Sequence, residues 1–189
     1  MGRPAKFDPA TAVSMAMDVF WRQGYGATSP QGLADELGIG KGSLYYTFDS
    51  KHNLFTLALR AYTAKRTAAL AELLDAPGPI RPRLRAVIEE LTGAGDHRRG
   101  CLMVRAITEV AQADETVNEV GNALFDRIEE ALCAAITRGR STGELTGHQP
   151  PADAASSLLA TVIGTSVLVN AGGNAERVQR IVDTALEVL

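Results

Sequence analysis

Apolar positions recur at three- and four-residue spacing along most of this chain, the periodicity of helices that each bury one face. Val13, Ala16, Met17, Phe20 and Trp21 form the first stripe. Asp8 is placed to cap it, Pro9 takes the first helical position, and Gly24 and Gly26 close it. Ser29 and Pro30 then open a short helix with Leu33, Ala34 and Leu37 inward, and Gly38 stops it at a corner that Ile39 can plug. A third helix starts near Lys41. Its Leu44 and Phe48 face inward, while Lys41, Ser43, Tyr45, Tyr46 and Thr47 lie on the other side. From Lys51 a long pattern runs to about Leu74, and Ala76 to Pro82 reads as a turn. Further stripes follow: Leu84 to Leu91, a helix from near Cys101 to Ala113, one capped by Asp114 that runs through Ile136, then Asp153 to Ala171 and Ala175 to Leu189. No strand pattern and no repeat is visible. The prediction is an all-α fold of about nine helices, opening with a three-helix helix-turn-helix domain.

The outer face of the third helix is the informative one. It carries a cation, hydroxyls and two phenols, with no acid before Asp49, a surface that suits phosphate oxygens and base edges. Spacing alone also allows an ordinary helix pair with exposed tyrosines. The arm Gly2 to Lys6 adds two cations, of which Arg3 could reach a minor groove or a phosphate.

At these residues the sequence resembles the TetR family of bacterial transcriptional regulators. The matching pieces are Phe20-Trp-Arg-Gln-Gly-Tyr25, Thr28-Ser29, Leu33-Ala34, Gly38-Ile39, Lys41-Gly-Ser-Leu-Tyr-Tyr-Thr-Phe48, Ser50-Lys51 and Leu54-Phe55, in the family's order and spacing. Gly32 and Gly40 depart from it, standing where the family usually has an acidic residue and a serine cap. The resemblance implies a DNA-binding domain over 1–57 and a helical ligand-binding and dimerisation domain over 58–189. Carried over by position, Gln31, Lys41, Gly42, Ser43, Tyr45, Tyr46 and Thr47 face double-stranded operator DNA, and Lys51 grips a phosphate at its helix start. The body would hold a small-molecule inducer, with Tyr62, Leu91, Cys101, Met103, Ile107, Phe125 and Thr161 as lining candidates. The last two helices, Asp153 to Leu189, would pair in a symmetric homodimer. The implied function is a ligand-released repressor on a palindromic operator.

Composition changes this picture little. The 189 residues are 46% hydrophobic and 22% charged, with a net charge of −3, ordinary for a globular protein. An acidic chain does not bind DNA by bulk attraction, so local geometry must supply the contact. The apolar run Leu158 to Val169 is broken by polar and glycine positions and reads as too short for a bilayer, and no secretory pattern is visible, so a cytoplasmic protein is expected.

Candidate chemistry is sparse. Gly40-Lys41-Gly42-Ser43 fails as a nucleotide loop because Gly42, not Ser or Thr, follows the lysine. His52, His97 and His148 sit far from any ligand set, so neither metal nor cofactor nor catalytic residue is expected, and no enzyme. Cys101, at a helix start after Arg98 and Arg99, could be an activated thiol, which gives a redox or electrophile sensor as one alternative and an enzyme using that thiol as another. A further alternative is a helical small-molecule-binding dimer whose first domain is vestigial.

Overall fold

In the computed structural model, residues 7–93 and 99–189 are described here, and Arg3, His97 and Arg98 lie outside them. Nine helices are found among the described residues: α1 (Pro9–Gln23), α2 (Pro30–Glu36), α3 (Lys41–Phe48), α4 (Lys51–Asp75), α5 (Ile80–Thr92), α6 (Leu102–Val110), α7 (Glu115–Ser141), α8 (Pro151–Asn170) and α9 (Ala175–Glu187). A 3-10 turn, Ala111–Ala113, joins α6 to α7.

Local chemistry sets most of these ends. The Asp8 carboxylate accepts from the Thr11 amide at 2.8 Å, and Pro9 needs no donor there. Ser29, Ser50 and Asp114 accept the third amide of α2, α4 and α7 at 3.0, 2.9 and 3.2 Å, and Asn174 takes two amides of α9. Gly38 turns the α2–α3 corner with φ +65°, a conformation that costs a glycine nothing. One expected break is shorter than its composition suggests. The helix after it begins at Ile80 and includes Pro82, because a proline in the opening turn removes an amide that had no helical acceptor anyway. The Ile80 amide is met instead by the Glu144 carboxylate at 2.7 Å.

Helix α4 is the spine, packing against α1, α3, α5, α6 and α7. Its first half meets α1 through Phe20 and Phe55, whose rings stand edge to face at 4.9 Å. Its second half buries Tyr62, Leu70 and Leu74 against the body. One continuous apolar core therefore runs from α1 to α9. Helix α8 matches the Asp153-to-Ala171 pattern and, at 20 residues, is long and apolar enough to cross a bilayer, against the expectation drawn from the interrupted run alone. It is a packed helix, seated against α5, α6, α7 and α9.

Candidate nucleic-acid interface and interior cavity

The unit α2–turn–α3 is held from below by Leu33, Ala34, Leu37, Leu44 and Phe48, all buried. On its outer side Lys41, Gly42 and Ser43 are exposed, Tyr46 is 78% and Tyr45 39% exposed, and Thr47 is half-buried. Gln31 is exposed at the start of α2, its amide donating to Asp35 at 2.8 Å. Two apolar anchors thus hold an eight-residue helix so that its hydroxyls and phenols project into solvent.

Lys51 is placed differently from the expectation. Its ammonium donates to the backbone carbonyls of Tyr25 and Thr28 at 2.9 and 3.0 Å and lies 4.0 Å from the centre of the Tyr25 ring. Partial burial pulls its pKa below the usual lysine value, with the Glu109 charge opposing. These carbonyls of the α1–α2 connection are strong acceptors close at hand, so the cation braces that turn from inside. Burial also raises the Tyr25 phenol, helped by the Asp114 charge.

Sequence reasoning missed the join between this unit and the body. The Glu109 carboxylate on α6 accepts from the Tyr25 and Gly26 amides at 3.0 and 2.6 Å. One turn earlier, Arg105 donates to the Trp21 and Arg22 carbonyls at 3.1 and 3.2 Å. A Cβ on Gly24 or Gly26 would stand 2.8 or 2.9 Å from that carboxylate, so a side chain at either place would push the end of Glu109 off its amides. His52 and Asp114 add a pair at 2.7 Å. The two glycines were visible in the sequence, but as helix stops; their partner lies more than eighty residues away.

A cavity of about 550 Å³ opens between α1, α4 and α5, lined by Ser14, Met17, Asp18, Trp21, Tyr62, Lys65, Arg66, Leu73, Ala86, Glu89, Glu90, Gly93, Arg99 and Gly100. Of the expected lining residues it contains Tyr62. Leu91 and Met103 are packed in the core, and Ile107, Phe125 and Thr161 are half-buried away from this cavity. Ile107 instead packs over Gly121, whose missing side chain makes room for it. The α1 wall has no signature of its own in the sequence, because its stripe is that of any core-facing helix.

Cys101 is 8% exposed, and its sulfur accepts from the Tyr62 hydroxyl at 3.2 Å. Arg99, one of the cations expected to activate it, turns away to Asp18 at 3.0 Å and over the Trp21 ring. A shielded thiol whose neighbour Arg99 is engaged elsewhere does not favour that alternative.

On the far side, α8 and α9 leave an apolar flank open. Val167 is 46% and Val188 59% exposed, Ala160 and Gly164 are exposed, and Leu159, Ile163 and Ile181 are half-covered. A Cβ added to Gly164 would meet nothing within 4 Å.

Two family models match the chain: bacterial regulatory proteins of the tetR family over residues 13–58, and the tetracyclin repressor-like C-terminal domain over residues 82–185. The chain belongs to the TetR family. It is a helix-turn-helix, DNA-binding transcriptional regulator. It is 29% identical over 193 residues, all of both chains, to the uncharacterised HTH-type transcriptional regulator YezE of Bacillus subtilis (strain 168). To the HTH-type transcriptional repressor BdcR of Escherichia coli (strain K12) it is 28% identical over 137 residues, 72% of this chain and 70% of that one. Among solved structures, a cysteine variant of the TetR family regulator CifR, complexed with 26-base-pair double-strand operator DNA, superposes with a TM-score of 0.82. The two are 29% identical and the match covers 98% of each chain.

Proposed function

We propose that this TetR-family regulator is a repressor that binds a near-palindromic operator as a homodimer and leaves it when a small molecule binds the body. The acid-free outer face of α3 carries the reading: Lys41, Gly42, Ser43, Tyr45, Tyr46 and Thr47 meet the major groove, with Gln31 beside them and Arg3 on the arm. CifR, a chain of this shape complexed with operator DNA, supports operator binding here. Residues 1–57 form the DNA-binding domain and 58–189 the ligand and dimer domain, α4 belonging to both. The open flank of α8 and α9 pairs with its copy about a two-fold axis, setting the two α3 helices about 34 Å apart, one DNA turn.

An effector acts only by preferring the conformation in which that spacing is wrong, with a coupling of about 1–3 kcal/mol. The grip of Arg105 and Glu109 on the end of α1 carries a shift of α6 to the reading helices. The protein works in the cytoplasm and performs no chemistry on its ligand. Selection of bound duplex from a random pool tests this reading. An enriched inverted repeat, bound by two subunits in sedimentation, is expected; no enrichment, or binding by a single subunit, would overturn it.

A further inference from the structure

We infer that the cavity between α1, α4 and α5 is the effector site, and that it takes a small organic anion: a carboxylate on an aromatic or other apolar body. The inference rests on the proposed effector-controlled DNA binding and adds its place and chemistry. The volume, about 550 Å³, falls within the range of roughly 300–1,000 Å³ usual for small-molecule sites. Trp21 and Tyr62 meet edge to face at 5.2 Å and give the cavity an aromatic wall.

Arg66 supplies the charge. It is 7% exposed, and two neutral contacts orient it: its Nε donates to the Tyr62 hydroxyl at 2.9 Å and its Nη1 to the Glu90 carbonyl at 2.6 Å. Neither contact neutralises the guanidinium. Among the described residues that is done by the Glu90 carboxylate, whose side chain is 48% exposed against 9% for Arg66. A half-wet carboxylate on a buried, pre-aimed guanidinium is replaceable. An incoming carboxylate takes the Glu90 head-group position while Glu90 returns to water, and the number of ion pairs is unchanged. The other charges of the lining favour the same sign of ligand. Asp18 is taken by Arg99, Glu89 leans toward Arg85 at 3.9 Å, and Lys65 has no carboxylate partner among the described residues. Because Asp18 and Trp21 sit on α1, an occupant presses on the helix that braces α2.

Trp21 is the sole tryptophan of the chain, so its emission reports directly on this cavity. The test titrates the full-length protein with benzoate, 4-chlorobenzoate and cyclohexanecarboxylate, each beside its neutral amide. At least one acid is expected to quench Trp21 saturably and several-fold tighter than its amide, less than the full worth of a charge-assisted bond because Glu90 competes for Arg66. Glu90→Gln, a change at a half-exposed side chain, should tighten acid binding several-fold by removing the competitor. Arg66→Gln should weaken it roughly ten-fold while sparing the amide. No preference for acid over amide anywhere in the panel, or weaker acid binding in Glu90→Gln, overturns the site. Acid binding that leaves affinity for the selected duplex unchanged overturns its effector role. Failure of the ligand-free protein to bind any duplex is a separate result, and it sinks the proposed function instead.

Discussion

Tyr62→Phe removes one oxygen and should cost far more than an ordinary buried hydroxyl. That oxygen accepts from Arg66 Nε at 2.9 Å and donates to Cys101 at 3.2 Å, at a side chain 1% exposed. Taking it away leaves a guanidinium N–H in the interior with nothing to bond, and the loss of a charged donor's partner costs about 2 kcal/mol. For a domain of this length that corresponds to a fall in melting temperature of roughly 4–8 °C. Removing both groups in Tyr62→Phe/Arg66→Met should restore part of the loss, since the penalty comes from the orphaned donor and not from the missing bond. Circular dichroism melts of the parent, both single variants and the double variant measure the coupling. The high-pH limb offers a second reading. Burial first, then the neighbouring Cys101, raises the Tyr62 phenol well above its ordinary value of 10.0. It stays neutral in the fold and ionises when unfolded, so its contribution is complete below about pH 10 and is lost as pH climbs beyond. Tyr62→Phe should therefore lose less stability than the parent in that range. A single variant melting within about 1 °C of the parent, or a double variant equal to the sum of the singles, would refute the argument.

Other expectations follow from the same geometry. Tyr46→Ala, at a residue 78% exposed, should weaken binding to the selected duplex roughly ten-fold more than to random DNA, and equal losses in a competition gel shift would deny it base readout. Lys51→Met should lower the melting temperature yet leave the slope of log affinity against log salt nearly unchanged. A slope reduced by about one per half-site would return the lysine to phosphate. Val167→Arg, on the open flank of α8, should yield single subunits in sedimentation velocity; a surviving dimer would place the interface elsewhere. Glu109→Ala should speed hydrogen exchange at the Tyr25 and Gly26 amides, which that carboxylate holds, and unchanged protection would show that the grip is not made in solution.

What could be read in advance was whatever local spacing controls. Asp8 with Pro9, Ser29 with Pro30, Asp114, and the inward pair Leu44 and Phe48 all act within one or two helical turns, and each stands where its pattern placed it. The outward placement of Lys41, Ser43, Tyr45 and Tyr46 belongs to that class, because one helix decides which way they point. Lys51 does not: a four-carbon stem can serve a phosphate or a nearby carbonyl, and only the fold back to Tyr25 and Thr28 decides. The cavity was less legible still. Its walls come from α1, α4 and α5, and nothing in the α1 stripe distinguishes a Trp21 that closes a core from one that edges a void. Glu109 and Arg105 give no signal in the sequence, because their partners are backbone groups, which have no signature there.

The start of α3 carries its own consequence. Gly40 offers no side chain to its opening amides, and Gly42 stiffens the first turn less than any other residue would. Among the described residues no side chain caps that turn. Oxygens from a nucleic-acid strand would complete it, so rigidity there is borrowed from the duplex and handed back on release. Gripping a duplex there would fix a turn that the chain itself leaves without a capping side chain, at a cost in ordering.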